Sequence, residues 1–305
     1  MSAPASMTTA SLAEPSGTAE PALRRRRHAP TRLAARIAVH VLLAAVGLAS
    51  VVPLLWLLRS AFMDQGQIFR IPPQWLPDPV VWDNFSRALA AESFGRYFLN
   101  TLLLVVLIVP GTVLSCSFAA FSFSRLEWRG RGVAFGLIMT GLMLPYAVTL
   151  IPTFVAWQRL GWVGTYVPLV VPAWFAAGGA FYVFLLRQFF LTLPSDLDHA
   201  VYVDGGSPLT VYRVVALPLT KGPMILVAVF STIAVWNDLL NPLIYLNDPS
   251  MYTLSLGLAA FTGMYSTQWA LLMAASVITV APMIVLFAFA QRYIVQGIAL
   301  TGVKG

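Results

Sequence analysis

An all-α, polytopic membrane protein with six transmembrane helices and both termini cytoplasmic is what the sequence predicts, on three observations. The chain of 305 residues is 58% hydrophobic and only 10% charged, whereas soluble domains carry about 25% charged residues. Charges this sparse cannot cover a water-facing surface. Six apolar stretches approach the roughly 20 residues needed to cross a bilayer core of about 30 Å. Basic residues also gather in alternate connections between those stretches, which sets orientation.

Taken in order, residues 1–35 form the first element. Residues 1–23 are rich in Ala, Ser, Thr and Pro without apolar periodicity, so a disordered basic cytoplasmic tail is expected over 1–35. Six of the 19 basic residues lie at this end of the chain: Arg24, Arg25, Arg26, Arg27 and Arg32, with Arg36 directly after. The net charge of +7 therefore does not describe a folded basic groove with interleaved aromatics, and nucleic-acid binding is excluded. A basic run before an apolar stretch reads as a topology signal that also touches anionic lipid. The apolar run Ile37–Leu58 is 22 residues long, too long for a secretory h-region, and no small-residue cleavage site follows. An uncleaved anchor is expected.

The remaining 36–305 form one transmembrane domain with spans near Ile37–Leu58, Tyr97–Phe121, Val133–Phe154, Val167–Phe189, Pro223–Tyr245 and Trp269–Ala290. With the N-terminus inside, the cytoplasmic segments hold the six tail arginines plus Arg125, Arg129, Arg131, Arg187, Arg213, Lys221, Arg292 and Lys304. Only Arg59, Arg70, Arg87, Arg96 and Arg159 remain outside. Proline and glycine interrupt most spans, at Pro53, Pro110–Gly111, Pro145, Pro152, Pro172, Gly178–Gly179, Pro242 and Pro282. Each proline removes a backbone donor. The carbonyls this frees must find partners in the bundle or in a wet cavity. Cys116, the single cysteine, can form no intrachain disulfide and reads as a packing residue.

The loop between spans four and five, Leu193-Pro-Ser-Asp-Leu-Asp-His-Ala-Val-Tyr-Val-Asp-Gly-Gly-Ser-Pro and on to Leu217-Pro218, predicts two short helices joined by a turn. Ser195 is an N-cap candidate with Asp198 as an acidic third residue. Gly205-Gly206 permits positive φ, Ser207 caps a second helix with Pro208 at its first position, and Pro218 ends it. Such a pair is too short to span and too apolar to stand free in water, so its open face should dock on a partner or on the membrane surface.

These residues resemble the EAA loop of the permease subunits of binding-protein-dependent ABC importers. That pattern is Glu-Ala-Ala, then Asp-Gly, then an apolar-Leu-Pro, and this chain offers His199-Ala200-Val201, Asp204-Gly205 and Leu217-Pro218. The ending Gln291-Arg292-Tyr293-Ile294-Val295-Gln296-Gly297, closing in Gly302-Val303-Lys304-Gly305, is similar to that of the carbohydrate-uptake branch, which includes the shorter permease subunit of the maltose importer. With Trp236-Asn237-Asp238 in span five, the resemblance covers about residues 36–305. It implies the importer-permease fold and uptake of a sugar, polyol or sugar phosphate. It also implies a bacterial inner-membrane location, a second permease subunit, a dimer of ATPase subunits and an extracytoplasmic binding protein. No cofactor is expected on this chain, because ATP and Mg would bind the ATPase, and no G-x-x-x-x-G-K-[ST] loop occurs.

The resemblance assigns ATPase coupling to Asp198, His199, Ala200, Asp204, Gly205, Leu217 and Pro218, and tail contacts with the ATPase to Gln296, Gly297 and Lys304. One departure stands out. The family's glutamate is His199 here, so either Asp198 takes its place or the partner surface differs.

Asn237, Asp238 and Asn241 form the densest polar cluster within a span. Asn237 and Asn241, four apart, would share a face. They are candidates for the translocation path or for a water-exposed helix end. Outside, residues 59–96 and 247–268 could meet a binding protein, the second as a short hairpin. Trp75, Trp82, Trp162 and Trp269 read as interfacial anchors. A membrane enzyme is disfavoured, since neither H-E-x-x-H nor G-x-S-x-G occurs and His28, His40 and His199 are scattered. A stand-alone secondary transporter, or a permease for a non-sugar solute, is the alternative.

Overall fold

The computed structural model describes residues 29–262 and 267–302. Residues 1–28 of the expected tail, and Lys304, lie outside them. The chain divides into two units, residues 1–53 and 54–305. In the first, helix α1 (Ala29–Ala61) begins and runs on past Pro53. Its apolar side chains from Ile37 to Val52 are exposed, as expected of a helix whose solvent is hydrocarbon.

Among the described residues of the second unit the regular secondary structure is helical, joined by turns and loops, apart from one isolated bridge between Thr262 and Thr267. Short helices α2 (Gln65–Ile68) and α3 (Asp83–Ala90) precede the long α4 (Phe94–Arg125). Then come α5 (Arg131–Thr140), α6 (Tyr146–Arg159), α7 (Val167–Trp174) and α8 (Ala180–Thr192). The loop pair α9 (Asp196–Val203) and α10 (Pro208–Val211) leads through a π turn and α11 (Leu217–Leu219) into α12 (Lys221–Asn237). Finally come α13 (Leu240–Tyr245), α14 (Leu254–Ala260) and α15 (Trp269–Gly302).

Three helices, α1, α4 and α15, are long and apolar enough to cross a bilayer unaided. The other three expected spans are divided, at or close to the proline and glycine interruptions read from the sequence. Pro145 separates α5 from α6, since it has no N–H to continue the ladder and takes an extended ψ of 135°. Between α7 and α8 the helix is interrupted at Ala176 and Gly178, at φ of 55° and 76°. After α12 the chain extends at Asp238. The sixth helix runs to Gly302, twelve residues beyond the expected end at Ala290.

α4 is the hub against which α7, α8 and α12 pack. Gly111, one residue past Pro110, allows a close approach. A Cβ there would lie 2.6 Å from the Trp174 indole, whose N–H donates to the Leu107 carbonyl at 3.0 Å. Two cores flank this contact. One gathers Phe121, Leu186, Phe190, Tyr212 and Val227, and the other Phe94, Tyr97, Trp236, Leu254 and Phe261.

Candidate functional site

Two regions carry the residues singled out above, the helix pair over 193–220 and a cleft beside α12. In the pair, α9 ends in a Schellman turn: Gly206 N–H donates to Val201 O at 2.8 Å and Gly205 N–H to Tyr202 O at 3.0 Å. Gly205 sits at φ 80°, the left-handed conformation this cap requires. The second cap forms as expected. Ser207 Oγ accepts from Thr210 N–H, Thr210 Oγ1 accepts from Ser207 N–H at 3.2 Å, and Pro208 opens the helix.

Two local expectations are corrected. Ser195 makes no side-chain cap, because its backbone is already helical at φ −67°, ψ −24°, whereas a capping side chain needs an extended residue. Pro218 does not end the helix at its own position. Upstream of it, Tyr212–Ala216 adopts π geometry, with Leu217 N–H donating to Tyr212 O, and this wider turn lies where a proline ring would crowd the carbonyl of residue 214. The helix ends instead at Thr220, whose Oγ1 donates to Ala216 O at 2.6 Å. There the axis turns by 77° into α12.

The pair is anchored from below and open above. Tyr212 is buried, its hydroxyl 2.9 Å from Ser117 Oγ on α4 and its ring stacked on Phe118 at 4.4 Å. Asp198, also buried, forms a 3.1 Å ion pair with Arg125 at the end of α4, while Arg125 donates as well to Leu193 O at 2.7 Å. Asp198 therefore already has a partner within the chain. His199, Ala200, Asp204, Gly205 and Pro218 are exposed and Leu217 is half-buried. Leu197, Tyr202, Val203 and Leu209 add an open apolar face. Gln296 and Gly297 lie in the last turns of α15.

The cleft, about 620 Å³, is walled by α4, α6, α7, α12 and α13. At one side Asp238 accepts from Asn241 twice, Oδ1 from the backbone N–H at 3.1 Å and Oδ2 from Nδ2 at 2.8 Å. Asn241 Oδ1 in turn accepts the Tyr146 hydroxyl at 2.6 Å. Asn237 does not join them, which corrects its placement on a shared face. The helix breaks at Asp238, so the four-residue spacing no longer aligns the two side chains. Asn237 instead donates to Ile233 O at 2.8 Å and lines a second, mostly apolar cleft of about 290 Å³ with Trp236, Thr279 and Phe287.

Tyr146, Thr149, Thr153 and Trp157 of α6, together with Tyr182 and Tyr245, line the main cleft and were not singled out from the sequence. A legible signal existed, since spacings of three, four and four place the α6 residues on one helical face.

The 247–268 segment carries helix α14 and then an antiparallel bridge between Thr262 and Thr267, and Gly263 of the expected hairpin lies outside the described residues. Gly257 of α14 lies against the Tyr97 ring. Asn100 Nδ2 donates to Ser250 O and Tyr252 O, both at 2.9 Å. Ser250 N–H donates to Asp248, and this bond holds the Asp248 carboxyl below the usual carboxylate range.

Residues 111–300 match the family described as binding-protein-dependent transport system inner membrane component. The probable ABC transporter permease protein YurM of Bacillus subtilis (strain 168) is 33% identical over 257 residues, 83% of each chain. The diacetylchitobiose uptake system permease protein NgcG of Streptomyces coelicolor is 30% identical over 262 residues, 85% of this chain and 86% of that one. Among solved structures, a bacterial ABC transporter involved in the import of the acidic polysaccharide alginate has the same fold. Its TM-score is 0.77 at 18% identity, over 87% of this chain and 98% of that one.

Proposed function

Because the chain belongs to the family of binding-protein-dependent transport system inner membrane components, a multi-pass permease subunit of ABC importers and not an enzyme, we propose that it passes a sugar or related polyol through the 620 Å³ cleft. One observation carries this reading. The cleft carboxylate Asp238 and the open helix pair sit at the two ends of α12, so a push on the pair is delivered to the cleft wall. The relative NgcG, named for diacetylchitobiose uptake, supports a saccharide.

In this reading the chain lies in the bacterial inner membrane with both termini in the cytoplasm. Residues 1–35 form a tail and 36–305 the permease domain. A second permease subunit completes the path and an extracytoplasmic binding protein delivers the solute. A separate ATPase dimer carries ATP and Mg and seats the helix pair, meeting His199, Ala200, Asp204, Gly205, Leu217 and Pro218. Asp198 acts within the chain by holding α9 on Arg125, and Gln296, Gly297 and Lys304 of the tail reach the same ATPase. The exposed apolar face of Leu197, Tyr202, Val203 and Leu209 is what such a seat would cover.

Deleting the gene and assaying uptake on single carbon sources tests the proposal. Loss of growth on one saccharide, restored by the intact chain but not by one lacking residues 196–211, is the expected result. Undiminished uptake of every carbon source, or saccharide uptake that persists without any ATPase subunit, would overturn it.

A further inference from the structure

We propose that the cleft admits uncharged, polyhydroxylated solutes and turns away anionic ones, with the Asp238–Asn241–Tyr146 chain of hydrogen bonds setting that preference. The inference rests on the permease reading and narrows its solute class.

The lining residues include no lysine, arginine or histidine, and Asp238 is the one carboxylate. Sites that pass anions supply rings or clamps of cationic side chains. Here the charge at the wall has the opposite sign. Both Asp238 oxygens accept from Asn241, the pattern of a carboxylate fixed in place.

The hydroxyls of α6 point the same way. Each has its proton committed inward: Tyr146 to Asn241 Oδ1, Thr149 Oγ1 to Tyr146 O at 3.0 Å, and Thr153 Oγ1 to Thr149 O at 2.7 Å. A hydroxyl whose proton is already donated can offer only its lone pairs to a solute. The stripe is therefore a row of acceptors, suited to the hydroxyl donors of a polyol and unfavourable to carboxylate or phosphate oxygens. Trp157, in line with the stripe, adds an aromatic face for the apolar C–H side of a sugar ring. A volume of about 620 Å³ falls within the roughly 300–1,000 Å³ of small-molecule sites.

Thiol chemistry tests this without knowing the solute or relying on the binding protein's selectivity. The chain has one cysteine, Cys116, which is buried but borders the cleft, so its modification in the parent is measured first and subtracted. Thr153→Cys is introduced at the chromosomal locus with all partners intact. Its modification by neutral hydroxyethyl and anionic sulfonatoethyl methanethiosulfonates is then read by mass on the purified chain. Rates are expressed relative to each reagent's rate with a small free thiol.

The anionic reagent should react about two-fold more slowly than the neutral one on this scale, the size expected for like charges about 10 Å apart in a wet site. Asp238→Asn should bring the two rates together, and Asp238→Glu, which keeps the charge, should preserve the difference. Equal rates in the parent background, or a ratio unmoved by Asp238→Asn, would overturn the proposal. So would loss of the ratio in Asp238→Glu as well, since structure and not charge would then be responsible. Uptake is followed in the same cells. If the neutral reagent stops uptake but the charge ratio is absent, only this proposal fails. If the ratio is present but uptake continues after full modification, the cleft is not the path and both readings fail.

Discussion

Arg125 and Asp198, 73 positions apart in the chain, meet at 3.1 Å with only 10% and 12% of their side chains exposed. The pair fastens the first helix of the open loop to the end of the central helix. Removing one member of a buried ion pair leaves the other uncompensated and costs about 3–5 kcal/mol. Arg125→Ala and Asp198→Ala are each expected to lower the thermal midpoint of the purified assembly and abolish uptake. Fluorescence-detected size-exclusion after heating would read the first effect. The double substitution should recover part of the stability, because neither charge is then stranded.

The hydroxyls of Tyr212 and Ser117 are mutual partners in a buried setting. Tyr212→Phe strands the serine hydroxyl at a cost of about 1–3 kcal/mol, whereas removing both groups is nearly neutral. A double-mutant cycle over Tyr212→Phe and Ser117→Ala, followed by thermal unfolding in detergent, should therefore give strongly non-additive values. Additive losses would mean that the two groups do not depend on one another.

Gly205 at φ 80° holds the turn between α9 and α10. A bulky L-residue in that conformation costs about 1–2 kcal/mol, and proline cannot adopt it at all. Gly205→Pro should abolish uptake while the chain still inserts into membranes at normal levels. A large residue at the exposed Ala200 should do the same for a different reason, by blocking the seat of the loop. Immunoblots of washed membranes beside uptake rates would separate insertion from transport.

His199 is exposed, so its replacement should alter stability by no more than about 0.5 kcal/mol. His199→Glu restores the acid of the resembled loop and is expected to support uptake at or above the parent rate. His199→Arg should reduce it if the facing surface is basic. Rates of solute-stimulated ATP hydrolysis in proteoliposomes would report both.

Much of this was legible because lipid imposes a simple rule, that apolar runs become helices. Three of the six expected spans fall on unbroken helices and the other three on interrupted ones, and the Ser207 cap and Gly205 turn followed from local chemistry. Where each break falls was harder to see. Ala176 at positive φ and the extended Asp238 leave no mark in an average over apolar residues, and the Asp238 break is what parted Asn237 from Asn241. The Arg125–Asp198 pair joins distant positions that no local pattern links. The α6 stripe, in contrast, had a readable spacing that was hidden inside a segment taken as plain span.

The 77° bend at Thr220 makes the chain a crank. Its handle is the open pair over 208–219 and its shaft is α12, whose 17 residues measure about 25 Å at 1.5 Å per residue. A swing of about 10° at the handle sweeps the far end of such a shaft by about 4 Å, more than the length of a hydrogen bond. Asp238 rides on that end. In the function proposed above, the stroke that works the handle would also displace the cleft's carboxylate, so that release would need no separate trigger.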